Sequence, residues 1–187
     1  MNAASNGPCV TPESVWALLE SVTDPEIPVV NLREMGILRQ VQATPSGFEV
    51  TLTPTYSGCP AMDQMIDDVQ TALQNAGIAA QVNIQLAPAW STDWMSPSAL
   101  VKLRDYGIAP PHPRPTQVQP ATSGNPQTNT QPIGFSRRRN TAPHEPIACP
   151  QCGAHNTTEI SHFGSTACKA LYRCLNCLEP FDYFKPY

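Results

Sequence analysis

Two short cysteine pairs, Cys149-Pro150-Gln151-Cys152 and Cys174-Leu175-Asn176-Cys177, constrain this chain more than any other feature. They form C-x2-C-x21-C-x2-C inside a tail of forty residues, 148–187. So short a segment buries too little apolar surface to fold alone, and a structural metal is the usual remedy. Two such knuckles place four thiolates around one tetrahedral ion with Zn–S distances of about 2.3 Å. TTEISHF and KALYRC between the pairs, and FDYFK after them, read as strands. The pattern predicts a zinc ribbon with structural zinc on Cys149, Cys152, Cys174 and Cys177. Rubredoxin-like iron and a thiol redox pair are the other uses of two C-x-x-C units. With four thiols present, His155 and His162 are expected to be ordinary ribbon residues. Cys168, six residues before Cys174, is uncertain: a packing residue, or one near the metal with a redox or relay role.

Upstream, the pattern changes. Thr11-Pro12-Glu13 is a helix start: a hydroxyl cap, proline in the first turn and an acid at the positive end of the dipole. Val15, Leu18, Leu19 and Val22 follow at helical spacing, and Pro25 should end the helix. Gly36 to Ala43 and the alternating Phe48, Val50, Leu52 read as two strands around the turn Thr44-Pro45-Ser46-Gly47, a hairpin. Met62, Met65, Ile66, Val69, Leu73 and Ala76 keep one helical face apolar, with Gly77 at the C-terminal cap position. Val82, Ile84 and Leu86 form a third alternating run. Ser96-Pro97 opens a short last helix ended by Gly107. A crossover helix before the third strand implies a mixed sheet. The fold class expected is α+β: a small two-layer α/β domain over 11–109 and a zinc ribbon over 148–187.

Between them, residues 110–147 read as a flexible linker. The stretch 110–150 holds ten of the 21 prolines. No apolar period there offsets the entropy of ordering. Arg137-Arg138-Arg139 within it either keeps the linker solvated or docks an acidic partner.

The totals exclude several classes. The formal net charge is −4, so there is no global electrostatic case for nucleic acid. No apolar run approaches the ~18 residues that span a bilayer. The start, MNAASNGPCV, has neither a basic nor an apolar leader region. The expectation is a cytoplasmic protein with reduced thiols, no membrane and no nucleic-acid partner. There is no Gly-rich phosphate cradle, no nucleotide fingerprint and no di-iron Glu-x-x-His pair, so flavin, NAD and oxygen chemistry belong elsewhere.

Two further features carry chemistry. Cys59, between Gly58 and Pro60, sits at the mouth of the amphipathic helix. Helix-terminal N–H groups and the dipole favour thiolate, so a lowered pKa and raised reactivity are expected there. The competing reading is a buried plug at the helix–sheet junction. Asp24 and Glu26 in DPE either shape a loop or hold a partner or metal.

The stretches DPEIPVVNLREMGIL and TPTYSGCPAM resemble the small iron–sulfur assembly domain of SufT-type proteins and cytosolic iron–sulfur targeting factors. HFGSTACKALYRCLNCLEPFDYFK resembles the tail of the PaaD family, the D component of phenylacetyl-CoA epoxidase operons, which joins these two modules. Asn31, Glu34 and Met35 depart mildly from that pattern. The resemblance implies a non-catalytic accessory factor for maturation or repair of an iron cofactor, Fe–S or di-iron, in the phenylacetyl-CoA 1,2-epoxidase. It implies as partners the complex's di-iron subunits or its flavin/[2Fe–2S] reductase. Cys59 would be a transient iron or Fe–S ligand, Asp24 and Glu26 the motif acids, and Cys149, Cys152, Cys174 and Cys177 the ribbon's zinc ligands. A scaffold role in the same complex is the alternative, with an independent thiol oxidoreductase behind it. A homodimer is compatible with the pattern.

Overall fold

The computed structural model describes residues 10–112 and 146–187. The proline-rich stretch beyond 112, the Arg137-Arg138-Arg139 run and Cys9 lie outside these residues.

Helix α1, Pro12–Leu19, begins on the expected cap, but the box closes with a serine. The Thr11 side chain accepts from the Ser14 N–H, and the Thr11 N–H donates back to Ser14 Oγ at 3.0 Å. The helix ends at Leu19, earlier than the apolar pattern suggests. Val22 remains buried, but on the loop that follows. That loop is closed by Asp24, whose Oδ1 accepts the N–H groups of Glu26 (2.7 Å) and Ile27 (3.1 Å). Asn31 and Glu34 then cap each other: Asn31 Oδ1 accepts from the Glu34 N–H at 2.7 Å and Glu34 Oε2 from the Asn31 N–H at 3.2 Å. Glu34 also pairs with Lys102 at 2.8 Å. The departures at Asn31 and Glu34 thus form a self-consistent turn, and Met35 is fully buried.

Strands β1 (Leu38–Thr44) and β2 (Gly47–Leu52) form the expected antiparallel hairpin. Helix α2, Met62–Asn75, carries the chain across to β3, Ala80–Ile84, which pairs parallel with β2. The order β1-β2-β3 is the mixed sheet the sequence predicts. Leu86 falls beyond β3 and is exposed. Met65, Val69 and Leu73 of α2 pack with Val15 and Leu19 of α1 and with Val50 and Leu52 of β2. Gly47 is required where it stands: its φ is +135°, and a Cβ would come within 2.1 Å of the Ala79 carbonyl oxygen.

After α3 (Pro97–Tyr106), the two residues Ile108–Ala109 form β4, which carries no signal in the sequence. β4 pairs parallel with β7 (Pro180–Phe184) of the tail, which pairs antiparallel with β6 (Lys169–Cys174), and that with β5 (Thr157–Ser161). The segment that closes the first module is therefore the edge strand of the ribbon's sheet, in the order β4-β7-β6-β5. The two parts also share a core. Phe184 has no exposed surface and joins the cluster of α1, α2 and β2, with its ring 5.9 Å from that of Trp90. Fully burying a phenylalanine contributes about 2–3 kcal/mol, so the tail is fastened to the first module rather than tethered beside it.

Candidate functional site

The four tail thiols converge. Cys149, Cys152, Cys174 and Cys177 bring their sulfurs within 4.8 Å of one another, with Cys149–Cys177 at 3.8 Å and Cys152–Cys174 at 3.5 Å. Four sulfurs tetrahedral about one ion at about 2.3 Å lie about 3.8 Å apart, so the donor set fits zinc. The residue after each pair turns the chain through left-handed φ, Gly153 at 73° and Leu178 at 67°. The Asn176 and Cys177 N–H groups point at Cys174 Sγ, at 3.4 and 3.5 Å. These bonds, the one from Cys177 foremost, pull the Cys174 thiol down to about 6. A cation is what lets four crowded thiols ionise together. His155 instead bonds the Pro146 carbonyl at 3.0 Å, and His162 faces Glu159 at 3.5 Å.

Asp24, Glu26 and Cys59 lie apart from the quartet, close enough for both carboxylates to act on the thiol, and Lys169 of the tail acts on both acids. Asp24 is buried, and its backbone-facing bonds hold Glu26 toward the junction. Helix α2 starts at Met62, so Cys59 lies in the turn before it, not on its first residue. The Ala61 and Met62 N–H groups reach its thiol. The expected low pKa does not follow. Burial pushes the Cys59 thiol up, the two N–H groups oppose this, and the carboxylates of Glu26 and Asp24 add to it. For a thiol half-buried between two acids, desolvation and like charge outweigh the helix terminus.

Of the two readings of Cys168, its location agrees with the packing one. It lies at the far end of β6 from the thiol quartet and enters the first module's core, facing the DPE loop. Its sulfur is 3.0 Å from Thr166 Oγ1, and Thr166 also acts on Glu26, holding its pKa down against burial. Burial first, then the charges of Glu26 and Asp24, raise the Cys168 pKa, against the opposing Thr166 bond and Lys169 ammonium. Lys169 is 5% exposed, 3.3 Å from Asp182, and its charge acts on Asp24 and Glu26. Burial raises the Tyr56 hydroxyl's pKa, and the charges of Cys59, Cys168, Glu26 and Tyr187 add to it, so all of them lie in its electrostatic neighbourhood. Burial also raises Asp24 and Glu26, and Asp24 raises Glu26 further. The junction therefore disfavours the anions of two thiols and two carboxyls relative to water.

Thr166, Lys169 and Tyr56 carry no signal that sequence reasoning picks up. No spacing rule links positions more than a hundred residues apart. The one available signal is the polar run Ser165-Thr166-Ala167-Cys168-Lys169 opening a strand.

A mixed three-stranded sheet under helices, joined to a ribbon with a thiol quartet, defines a small α/β domain carrying a zinc-ribbon-type module. Comparison with known proteins agrees with this class. Residues 12–86 match the model described as "Iron-sulfur cluster assembly protein", and residues 136–185 match "PaaD zinc beta ribbon domain". An Escherichia coli protein named as the D component of a 1,2-phenylacetyl-CoA epoxidase is 44% identical over 172 residues, covering 91% of this chain and 90% of that one. The chain belongs to the PaaD family. The first module alone is similar to the "Fe-S protein maturation auxiliary factor SufT" of Staphylococcus aureus, 38% identical over 87 residues, which are 44% of this chain and 96% of that protein. A Bacillus anthracis crystal structure of a domain of unknown function is 31% identical, with a TM-score of 0.46, covering 49% of this chain and 90% of that one. The family match and the thiol cluster support structural zinc binding. No described helix is long and apolar enough to cross a membrane.

Proposed function

We propose that this protein is an accessory factor that assists insertion or repair of the iron cofactor of a phenylacetyl-CoA epoxidase, and performs no chemistry on the thioester itself. The observation that carries the reading is that Cys59, in the turn before a helix, is acted on by the carboxylates of Glu26 and Asp24 where burial disfavours their anions. A cation arriving at such a site favours ionisation of its donors, so binding and release couple to proton loss and gain. That is the behaviour of a handover site, with iron as cargo. The names of the E. coli and S. aureus relatives support the same reading. Cys149, Cys152, Cys174 and Cys177 hold zinc, which shapes the ribbon and takes no part in the transfer. The partners are the oxygenase's di-iron subunits or its flavin/[2Fe–2S] reductase, and the compartment is the cytoplasm.

The test is co-expression of the oxygenase components with this protein, with its Cys59→Ala variant, and without it. Iron content and activity are then measured on oxygenase freed of this chain. Lower iron in the second and third preparations is expected. Full loading in all three would overturn the maturation role, and tight co-purification with full loading would favour a scaffold role.

A further inference from the structure

The helices cover the face of the first sheet that carries Val50 and Leu52. The alternate residues Glu49, Thr51 and Thr53 point to the other face. Gln40 and Gln42 of β1 stand opposite Thr51 and Glu49 there, and Asn83 of β3 stands opposite Thr51. All of these side chains are polar. The face carries one irregularity. The ladder of β1 with β2 shifts register between Leu38 and Gln40, so Arg39 is an extra residue on its strand. A bulge of this kind re-aims a side chain. Here Arg39 and its neighbour Gln40 both line one cavity, where a regular strand would send them to opposite faces.

That cavity, of about 200 Å³, is lined by Arg39, Gln40, Thr53, Gln85, Pro88 and Trp94, and Arg39 is the one charge among them. The guanidinium lies over the Trp94 ring, 3.6 Å from its centroid. Stacking occupies the face of a guanidinium and leaves its N–H edge for a partner. Among the described residues Arg39 forms no ion pair. Trp94 is itself fixed. Its backbone N–H donates to the Ser91 carbonyl at 3.0 Å, and it packs on Gly36, where a Cβ would come within 2.7 Å of the Trp94 Cβ. Thr53 is 2% exposed, yet its hydroxyl forms no hydrogen bond among the described residues. No fully enclosed side-chain oxygen or nitrogen there lacks a partner, so the open part of Thr53 includes its hydroxyl, at the wall of this cavity. Gln40 and Gln85 each use one amide hydrogen, on Gln42 Oε1 at 3.2 Å and on the Ala87 carbonyl at 2.6 Å, and keep the other. Glu49, two residues along from Thr51, is engaged by Asn83 Nδ2 at 2.7 Å.

We propose that this cavity is a docking site for a carboxylate, presented by an acidic side chain on an extended segment of a partner protein lying across the polar face. The edge of the Arg39 guanidinium takes both oxygens of a planar carboxylate. The Thr53 hydroxyl and the remaining amide hydrogens of Gln40 and Gln85 are the neutral donors beside it. Trp94 and Pro88 flank the aliphatic stem. The lone positive charge selects an anion, and the volume admits one acidic side chain while excluding a nucleotide. Neither iron nor Cys59 enters this contact, so it stands apart from the handover reading.

The zinc-loaded full chain, isotope-labelled for nuclear magnetic resonance, is titrated with an end-blocked pentapeptide bearing one central glutamate. The resonances followed are the Arg39 Nε–H, the Trp94 indole N–H and the side-chain amides of Gln40 and Gln85. Saturable shifts in this group are expected, with a dissociation constant of about 1 mM, the scale that a few charge-assisted hydrogen bonds reach in water. The same peptide with glutamine in the centre, and inorganic phosphate, are expected to bind at least about fivefold more weakly. Arg39→Gln should weaken the glutamate peptide about tenfold or more, and Arg39→Lys nearly as much, because an ammonium lacks the planar fork. Thr53→Val should weaken it about fivefold. Arg39 is exposed, so its variants keep the fold, and they decide the matter should Thr53→Val fail to fold. Wild-type affinity in Arg39→Gln, an equal response to the glutamine peptide, or no shift in this group overturns the proposal. Phosphate binding as tightly as the glutamate peptide also overturns it, since the cavity would then take free oxyanions rather than a partner's side chain.

Discussion

Replacing Asp24 by alanine and by asparagine should have opposite consequences. Asp24 Oδ1 accepts two N–H groups at 2.7 and 3.1 Å, and the Ile27 donor is buried. Hydrogen bonds to a charged acceptor contribute about 1.5–3 kcal/mol each, and an orphaned buried N–H costs the same order. Alanine removes both acceptors while relieving a buried carboxylate, and the balance is a loss of about 3 kcal/mol. Asparagine keeps an oxygen in the Oδ1 position and never ionises, so it should lie within about 1 kcal/mol of the wild type, on the stable side at neutral pH. The sign of the pH dependence follows from the raised pKa of Asp24. The folded state resists ionisation, so the stability that Asp24 contributes is fully present below the unfolded carboxylate value of about 3.9 and is lost as pH rises through the folded value. The asparagine variant does not titrate there, and it also removes the charge that raises Glu26. Its advantage should widen with pH and then level off. Urea unfolding of the zinc-saturated proteins from about pH 4 to pH 8 measures this. An advantage that shrinks as pH rises would mean that Lys169 outweighs burial, and would refute the account of the junction as a site that prefers protons.

Three further outcomes follow from other parts of the molecule. Stripping zinc with a chelator, or Cys152→Ser, should abolish hydrogen-exchange protection over β5–β7 while β1 and β2 keep theirs; structural zinc is worth about 10 kcal/mol or more to so small a module. Cys59 should alkylate slowly at neutral pH and accelerate as pH rises toward and past the ordinary thiol range, because its pKa is raised and the thiolate is the nucleophile; a rate already level by pH 7, read by peptide mapping, would restore the helix-terminus view. Gly47→Ala should cost more than about 2 kcal/mol in urea unfolding, since the new Cβ meets the Ala79 backbone at 2.1 Å in a conformation L-residues avoid.

The parts of this molecule legible in the sequence are those with short-range causes. The C-x2-C pairs, the α2 apolar face and the turn at Gly47 each depend on neighbours within a few residues, and the ribbon strands fall where alternation places them. The features that differ from expectation have long-range causes. Cys168, six residues before Cys174, is left open in sequence between packing and closeness to the quartet. An extended strand rises about 3.3 Å per residue, so those six steps carry it about 20 Å away, to the opposite end of β6. The helix that should lower the pKa of Cys59 is visible in sequence, whereas the carboxylates that oppose it come from Asp24 and Glu26, over thirty residues earlier. β4 is too short for any periodicity, and only its partner in the tail makes it a strand.

The pairing of β4 with β7 has a consequence for how the chain tolerates change in length. Residues 108–109 lie in the sheet and Ile147 in the core beneath it, so the chain leaves and returns at two fixed points. For a chain joining two fixed points, the closure free energy grows only as the logarithm of its length, about 0.6 kcal/mol for each doubling. Halving or doubling the stretch between them should therefore leave both the fold and the junction nearly untouched. A change at Ile108 or Ala109 would instead loosen a sheet edge contributed by the other module. Relatives of this architecture are thus free to vary their middle segment widely, but not the two residues at which it leaves the sheet.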